Sequence, residues 1–261
     1  MTDRPSTSGR GRTGWVLVLT VVLLSGVGTI AVTANSWKHD FRVIRIRTQG
    51  NSLVADSDIV RTAAILKNGK LFDVDLNGTR LRVQQNPFVK SVSVAREIPD
   101  EIAITVTERR PIAALVLDRI LYLDAEGYVL PPVRSGKVFD LPVLTGELPA
   151  TDCVPGRQIR TRRLREALEI LTTAERVGDD LYHMISEIHC AGDSTYVLFT
   201  AESGVPVVFG RGDVAVKLVT LDGFWKQVVM PRGAAQLKTV DLRFADQVVV
   251  RWDEGHDVQA R

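Results

Sequence analysis

A chain of 261 residues exceeds what one small domain needs, and its length predicts two domains of ordinary size. The net charge of only +2, from 33 basic and 31 acidic residues, argues against a large nucleic-acid surface. Two cysteines, Cys153 and Cys190, are too few for a disulfide framework; in an oxidising compartment they can pair, and otherwise they are two buried free thiols.

From Trp15 to Ala34 the chain carries no charged residue. A helix of that length matches the roughly 30 Å hydrocarbon core of a bilayer. The rival reading is a cleaved secretory signal, with Val32-Thr33-Ala34 as a small-residue site, but signal h-regions are usually shorter, about 7–15 residues. Either way the bulk of the chain is exported. Arg4, Arg10 and Arg12 against Asp3 favour a cytoplasmic N-terminus, and Trp15 and Trp37 bracket the run where interfacial indoles belong. Within it Ser25, Thr29 and Thr33 share one helical face. They are either ordinary small residues of a membrane helix or a packing face for a second one.

Beyond the run, Phe41, Val43, Ile44 and Ile46 read as a strand ending at the turn pair Gly50-Asn51. Arg42, Arg45 and Arg47 interleave with it, as a solvated basic side or as a contact for lipid headgroups. Asp56 or Ser57 caps a helix carrying Ile59, Val60, Ala63, Ala64 and Leu66, which stops near Asn68-Gly69. Asp75 caps a second helix through Leu76, Leu81 and Val83, ended by Asn86-Pro87. Two alternating strands follow, one on Val92 and Val94 and one on Ile102, Ile104 and Val106, joined through Ile98-Pro99-Asp100.

This β-α-α-β-β order, with Gly50-Asn51, Asn86-Pro87-Phe88-Val89 and Glu108-Arg109-Arg110-Pro111 at its junctions, resembles a POTRA domain. One POTRA domain just outside an N-terminal membrane helix is similar to the bacterial cell-division family FtsQ/DivIB. The rest of the chain continues the resemblance. Tyr122 to Val129 reads as a hairpin turning at Glu126-Gly127, and Leu141-Pro142-Val143-Leu144-Thr145-Gly146 is similar to the family's LPxLxG segment. A helix over 161–177 places Leu164, Ala167, Leu168, Leu171 and Ala174 on one face. Strands are expected at 185–190, 195–200 and 205–209. A second helix follows Gly210-Arg211-Gly212-Asp213 and turns Val214, Leu218, Leu221, Trp225 and Val228 inward. Val240-Asp241-Leu242-Arg243-Phe244 resembles the family's terminal VDLRY segment.

The expected fold is α+β: a cytoplasmic leader at 1–14, a single transmembrane helix at 15–34 and a linker at 35–40. A POTRA domain at 41–110 and a mixed, mainly antiparallel β domain with two helices at 111–255 come next, then a tail at 256–261.

The remaining motifs read as structure. Arg211-Gly212-Asp213 is a turn in which Asp213 caps the following helix. His183, His189 and Cys190 lack the tight spacing of a zinc site, and adjacent strand residues His189 and Cys190 point to opposite faces. Asp73 and Asp75 sit near a helix start, and Asp179-Asp180 in a solvated loop past Gly178. The chain has no Gly-x-Ser-x-Gly elbow, phosphate loop or zinc-protease pair. No catalytic, metal or cofactor residue is therefore expected.

The final segment carries the candidate site. Leu242, Phe244, Val248, Val250 and Trp252 share one face by period two, and Arg243, Gln247 and Arg251 the other. A last strand at a sheet edge is a template for another chain. The resemblance implies that FtsB docks at this end of the β domain with FtsL alongside, through Phe244, Asp246, Gln247, Val248, Val250, Arg251 and Trp252. Phe244 stands where the family has Tyr and lacks its hydroxyl, while Asp246, Gln247 and Arg251 are larger than their family counterparts. The resemblance also implies a non-catalytic, single-pass protein of the inner membrane, N-terminus inside, concentrated at the septum and linked to FtsK, FtsW and FtsI. A membrane-anchored envelope enzyme acting on cell-wall material is the alternative, told apart by a cleft of convergent polar groups with shifted pKa values. An outer-membrane POTRA transporter fails, because no series of amphipathic strands follows the POTRA-like block.

Overall fold

The computed structural model describes residue 15 and residues 18–30, 41–133, 139–191, 195–244 and 247–253. Residues 18–30 form helix α1, and among the described residues no helix is long and apolar enough to cross a membrane. The expected span of 15–34 lies partly outside the described residues. Ser25 and Thr29 are exposed, and their hydroxyls donate back to their own helix, Ser25 to the Val22 carbonyl at 2.9 Å and Thr29 to that of Ser25 at 2.8 Å. Thr33 lies outside the described residues.

The chain divides into two compact units. The first comprises residues up to Asn51, Ala55–Val83 and Val92–Val106; the second takes Ser52–Val54, Gln84–Ser91 and everything from Thr107. Within the second, the Glu108 carboxylate accepts the backbone N–H groups of Ser52, Leu53 and Val54 at 2.8 Å each.

The POTRA-like order is present. Strands β1 (Arg45–Gln49), β2 (Val89–Glu97) and β3 (Glu101–Glu108) form a three-stranded sheet in the order β1-β3-β2, with helices α2 (Asp56–Ala63) and α3 (Leu76–Gln84) between β1 and β2. β1 runs parallel to β3, Ile46 opposite Ile102 and Thr48 opposite Ile104. Ile102, Ile104 and Val106 alternate into the core, where α2 supplies Ile59 and Ala63 and α3 supplies Val83. Gly50 ends β1 at φ +81°, and a Cβ there would fall 2.1 Å from the Val106 carbonyl oxygen, so only glycine fits.

Local details depart from the sequence reading. β1 begins at Arg45, not Phe41, and α2 ends at Ala63, where Ala64 turns left-handed. Asp56 does not cap α2; Thr48 and Asn51 both donate to it at 2.7 Å, which holds its carboxyl below the usual range. Asp75 does cap α3, accepting the Gly78 N–H at 2.9 Å. The basic side of β1 is neutralised within the fold: Arg45 pairs with Asp100 at 3.0 Å, and Arg47 with Glu97 and with Glu101. That removes the main argument for a lipid contact there.

The second unit is built on a nine-stranded sheet in the order β12-β11-β10-β9-β8-β7-β4-β5-β6. Its strands are β4 (Pro111–Val116), β5 (Ile120–Asp124), β6 (Val129–Leu130), β7 (Val143–Gly146), β8 (Ile185–Ala191), β9 (Thr195–Thr200), β10 (Pro206–Val208), β11 (Leu237–Asp241) and β12 (Val249–Trp252). β4–β7, β7–β8 and β10–β11 pair in parallel, and the other described pairs are antiparallel. Helices α4 (Arg162–Val177) and α6 (Val214–Phe224) bring Leu164, Leu168, Leu171, Leu218 and Leu221 into one core with Ile188, Leu198, Val207 and Val240 of the strands.

Cys153 and Cys190 are both buried and free, and burial pushes the Cys190 thiol up to about 11. Cys190 faces the core while His189 stays half-exposed, as alternation requires. Asp179-Asp180 opens a short helix, α5 (Asp179–Met184), in place of the expected loop.

Candidate functional site: the C-terminal sheet edge

The two ends of the large sheet differ. At one end β6 is covered, because Val129 donates to the Arg157 carbonyl at 2.9 Å and accepts the Gly156 N–H at 2.8 Å. At the other end β12 pairs, among the described residues, only with β11, with Val240 opposite Val250 and Asp241 opposite Val249. β12 is thus an edge strand with one free side. A bulge between Leu237 and Thr239 twists the pair, and the Asp253 N–H closes it by donating to the Gln236 carbonyl at 2.7 Å.

Alternation along β12 divides its side chains. Val250 and Trp252, with Val248 before them, pack on the core and are half-buried. Val249, Arg251 and Gln247 face outward and are exposed. Phe244 departs from the expected pattern. The chain leaves β11 after Asp241, so period two breaks, and Phe244 is 53% exposed instead of sharing the face of Val250. Asp246 lies outside the described residues.

The residues around this edge are held by charge. Arg243 grips the Asp241 carboxylate with Nε at 3.0 Å and Nη2 at 2.6 Å, which lowers the carboxyl's pKa and raises the guanidinium's. Arg232, in the short helix α7 (Met230–Arg232), lies over the Trp252 ring, and Lys238 pairs with Asp253 at 2.7 Å. Period-two reasoning missed Val249, which it left unassigned, and Arg232, which is distant in sequence. The exposed apolar residue at an odd position of an edge strand was the available signal for Val249.

Away from this edge, a recess of about 190 Å³ is lined by Arg162, Glu166, Tyr196, Phe209 and Arg211 among others. Tyr196 donates to Glu166 at 2.7 Å and Arg162 pairs with it at 2.5 Å. Burial, then this hydrogen bond, raises the tyrosine's pKa; burial opposes the fall of Glu166, but Tyr196 and Arg162 outweigh it. A neutral phenol and an ionised carboxylate are the ordinary states of both groups, the reverse of a carboxyl kept protonated for acid catalysis. The cluster ties the Gly210–Gly212 turn to α4. Asp213 in that turn is left-handed and makes no side-chain cap, contrary to the sequence reading. Among the described residues no group of three His, Cys, Asp or Glu is placed to hold a metal.

A unit of POTRA-like order followed by a helix-backed sheet, whose β12 edge is unpaired among the described residues, defines the two-part architecture of this chain. The family model "POTRA domain, FtsQ-type" matches residues 41–109, and "Cell division protein FtsQ/DivIB, C-terminal" matches 114–243. Cell division protein FtsQ of Rhodothermus marinus is 34% identical over 245 residues, covering 90% of this chain and 87% of that protein. FtsQ of Geotalea daltonii is 28% identical over 238 residues (91% and 85%), and that of Salinibacter ruber 29% over 259 (95% and 97%). The chain belongs to the FtsQ/DivIB family of cell division proteins. The C-terminal family match ends at residue 243, just before the edge strand.

Proposed function

We propose that this chain is a non-catalytic scaffold of the bacterial divisome, anchored in the inner membrane by a single helix at 15–34. Its N-terminus is cytoplasmic, its two folded units are exported, and it gathers at the septum. The free side of β12 receives a strand of FtsB, with FtsL alongside, and the POTRA unit engages upstream components such as FtsK. Through these contacts the chain couples recruitment to the septal synthases FtsW and FtsI. The observation that supports this reading is that, among the described residues, the β12 edge is bare while the β6 edge at the other end of the same sheet is covered.

In strand addition affinity comes from the backbone, and we assign specificity to the outward residues Phe244, Gln247, Val249 and Arg251, together with Asp246. Val248, Val250 and Trp252 set the strand's position from behind. Ser25, Thr29 and Thr33 supply a further contact for the partners' own membrane helices.

The test is capture of a tagged FtsB–FtsL complex by the full-length chain carrying Val249→Asp and Arg251→Asp. Capture falls at least about tenfold if the edge is the site, since a new unpaired charge inside an interface costs several times the roughly 1.4 kcal/mol of a tenfold change. Unchanged capture by a folded variant rejects it. Depletion in cells should give filaments without septa; normal division would remove the divisome role.

A further inference from the structure

Beside β6, at the opposite end of the large sheet from β12, a recess of about 400 Å³ is lined by Tyr128, Thr151, Asp152, Arg157, Gln158 and Arg160 among others. Its wall is braced through the backbone. Tyr128 bridges to Gln158, the Gly156 N–H and the Arg157 carbonyl pair with Val129, and the Arg160 N–H donates to Asp152 at 2.8 Å. The Arg109 guanidinium stacks on the Tyr128 ring and holds it in place.

The side chains of this recess supply positive charge and donors, and its one carboxylate is already in use. Asp152 is the only acid among the lining residues, and its oxygens are taken up by the Arg160 N–H, the Thr161 N–H and the Thr161 hydroxyl. Arg157 and Arg160 are exposed, and among the described residues neither guanidinium has a hydrogen bond or an ion pair. The hydroxyls of Tyr128 and Thr151 have no partner there either.

Elsewhere in this unit Arg109, Arg162, Arg163 and Arg243 each hold a carboxylate. Arg157 and Arg160 are left bare on a wall whose backbone is fixed, so little order remains to be imposed when a ligand arrives. A guanidinium presents a planar fork that matches two oxygens of a carboxylate or a phosphate, and two such forks with nearby hydroxyls can satisfy one anion. A volume of about 400 Å³ suits a compact anionic group or the charged end of a larger molecule.

We infer that this recess binds an oxyanion, a carboxylate or a phosphate, between the Arg157 and Arg160 guanidiniums, with the Tyr128 and Thr151 hydroxyls as further donors. The site belongs to the second unit alone and does not rest on strand addition at β12.

The test is labelling of the full-length chain with phenylglyoxal, which reacts with free guanidiniums, read residue by residue by mass spectrometry. Inorganic phosphate or succinate at about 10 mM should slow labelling of Arg157 and Arg160 at least about threefold, the factor for a ligand at twice its Kd. Arg119 and Arg251, also exposed and without an ion pair among the described residues, should label at an unchanged rate. Protection by phosphate alone marks a phosphate site, and by succinate alone a carboxylate site. Arg160→Gln should abolish the protection of Arg157, because one anion is shared between them. Absence of protection overturns the inference, and equal protection of Arg119 and Arg251 means an adventitious ion only. Protection of Arg157 that survives Arg160→Gln overturns the shared site. Protection by phosphatidylglycerol vesicles but by neither soluble anion assigns the two arginines to a lipid surface and overturns the recess.

Discussion

Arg232 holds its guanidinium 4.0 Å from the centroid of the Trp252 ring, clamping the end of the edge strand from the helix layer. Arg232→Ala should cost about 0.5–1 kcal/mol, the range for an exposed cation–π contact. The expected signs are a slightly lower melting temperature and a red-shifted tryptophan emission as Trp252 gains water. Partner capture should fall further than stability does, and Arg232→Lys should keep part of both.

Val249 and Val250 are neighbours on β12 with opposite duties, one exposed and the other packed on the core. Val250→Asp forces a charge against apolar side chains and should destabilise the second unit by about 2–4 kcal/mol. Val249→Asp should leave stability within about 0.5 kcal/mol and act on binding alone. Denaturant melts of both variants check the difference. Val250 and Trp252, although among the candidate partner residues read from the sequence, pack on the core, so substitutions there confound binding with folding.

Arg109 is 9% exposed, donates to Asp124 at 2.7 Å and Glu126 at 3.0 Å, and lies 3.6 Å from the centroid of the Tyr128 ring. Burial works against its charge, but the two carboxylates outweigh that and raise its pKa. Arg109→Ala leaves Asp124 buried without its cation, and the expected cost is about 3–5 kcal/mol. Arg109→Ala with Asp124→Asn should recover part of that loss, which a denaturation cycle measures.

Asp152 accepts the Arg160 N–H at 2.8 Å and the Thr161 N–H and hydroxyl at 2.7 Å each. Burial pushes its pKa up, but these hydrogen bonds outweigh burial and hold it below the usual carboxylate value. A folded-state pKa below the unfolded value contributes stability that is present above the unfolded pKa and lost as pH falls through the folded one. The contribution should therefore be complete above about pH 5 and fade below about pH 4. Asp152→Asn should flatten that acid limb in melting temperatures followed from pH 7 to 3.

Most elements with a clear period were legible in the sequence. Leu164, Ala167, Leu168, Leu171 and Ala174 line the buried side of α4, and Ile102, Ile104 and Val106 that of β3. β4 was not, because Pro111 to Leu115 is buried throughout and shows no alternation. The inward residue after Trp225 was misread as Val228. The π turn adds a residue to the helical repeat, so Val229 is buried at 1% and Val228 is 40% exposed. Phe244 was misplaced for a related reason: alternation was carried past the end of a strand. Both errors extend a period across a point where the backbone changes it.

Among the described residues the β6 edge is covered and the β12 edge bare, which gives the large sheet a polarity. On that arrangement it can lengthen from one end only, as a chain with a single reactive terminus grows. The first strand to dock as a tenth member occupies that end, and growth stops unless the newcomer presents a bare edge of its own. Two ligands that both bind by strand addition would thus exclude each other on one copy, and occupancy would be a matter of competition, not accumulation.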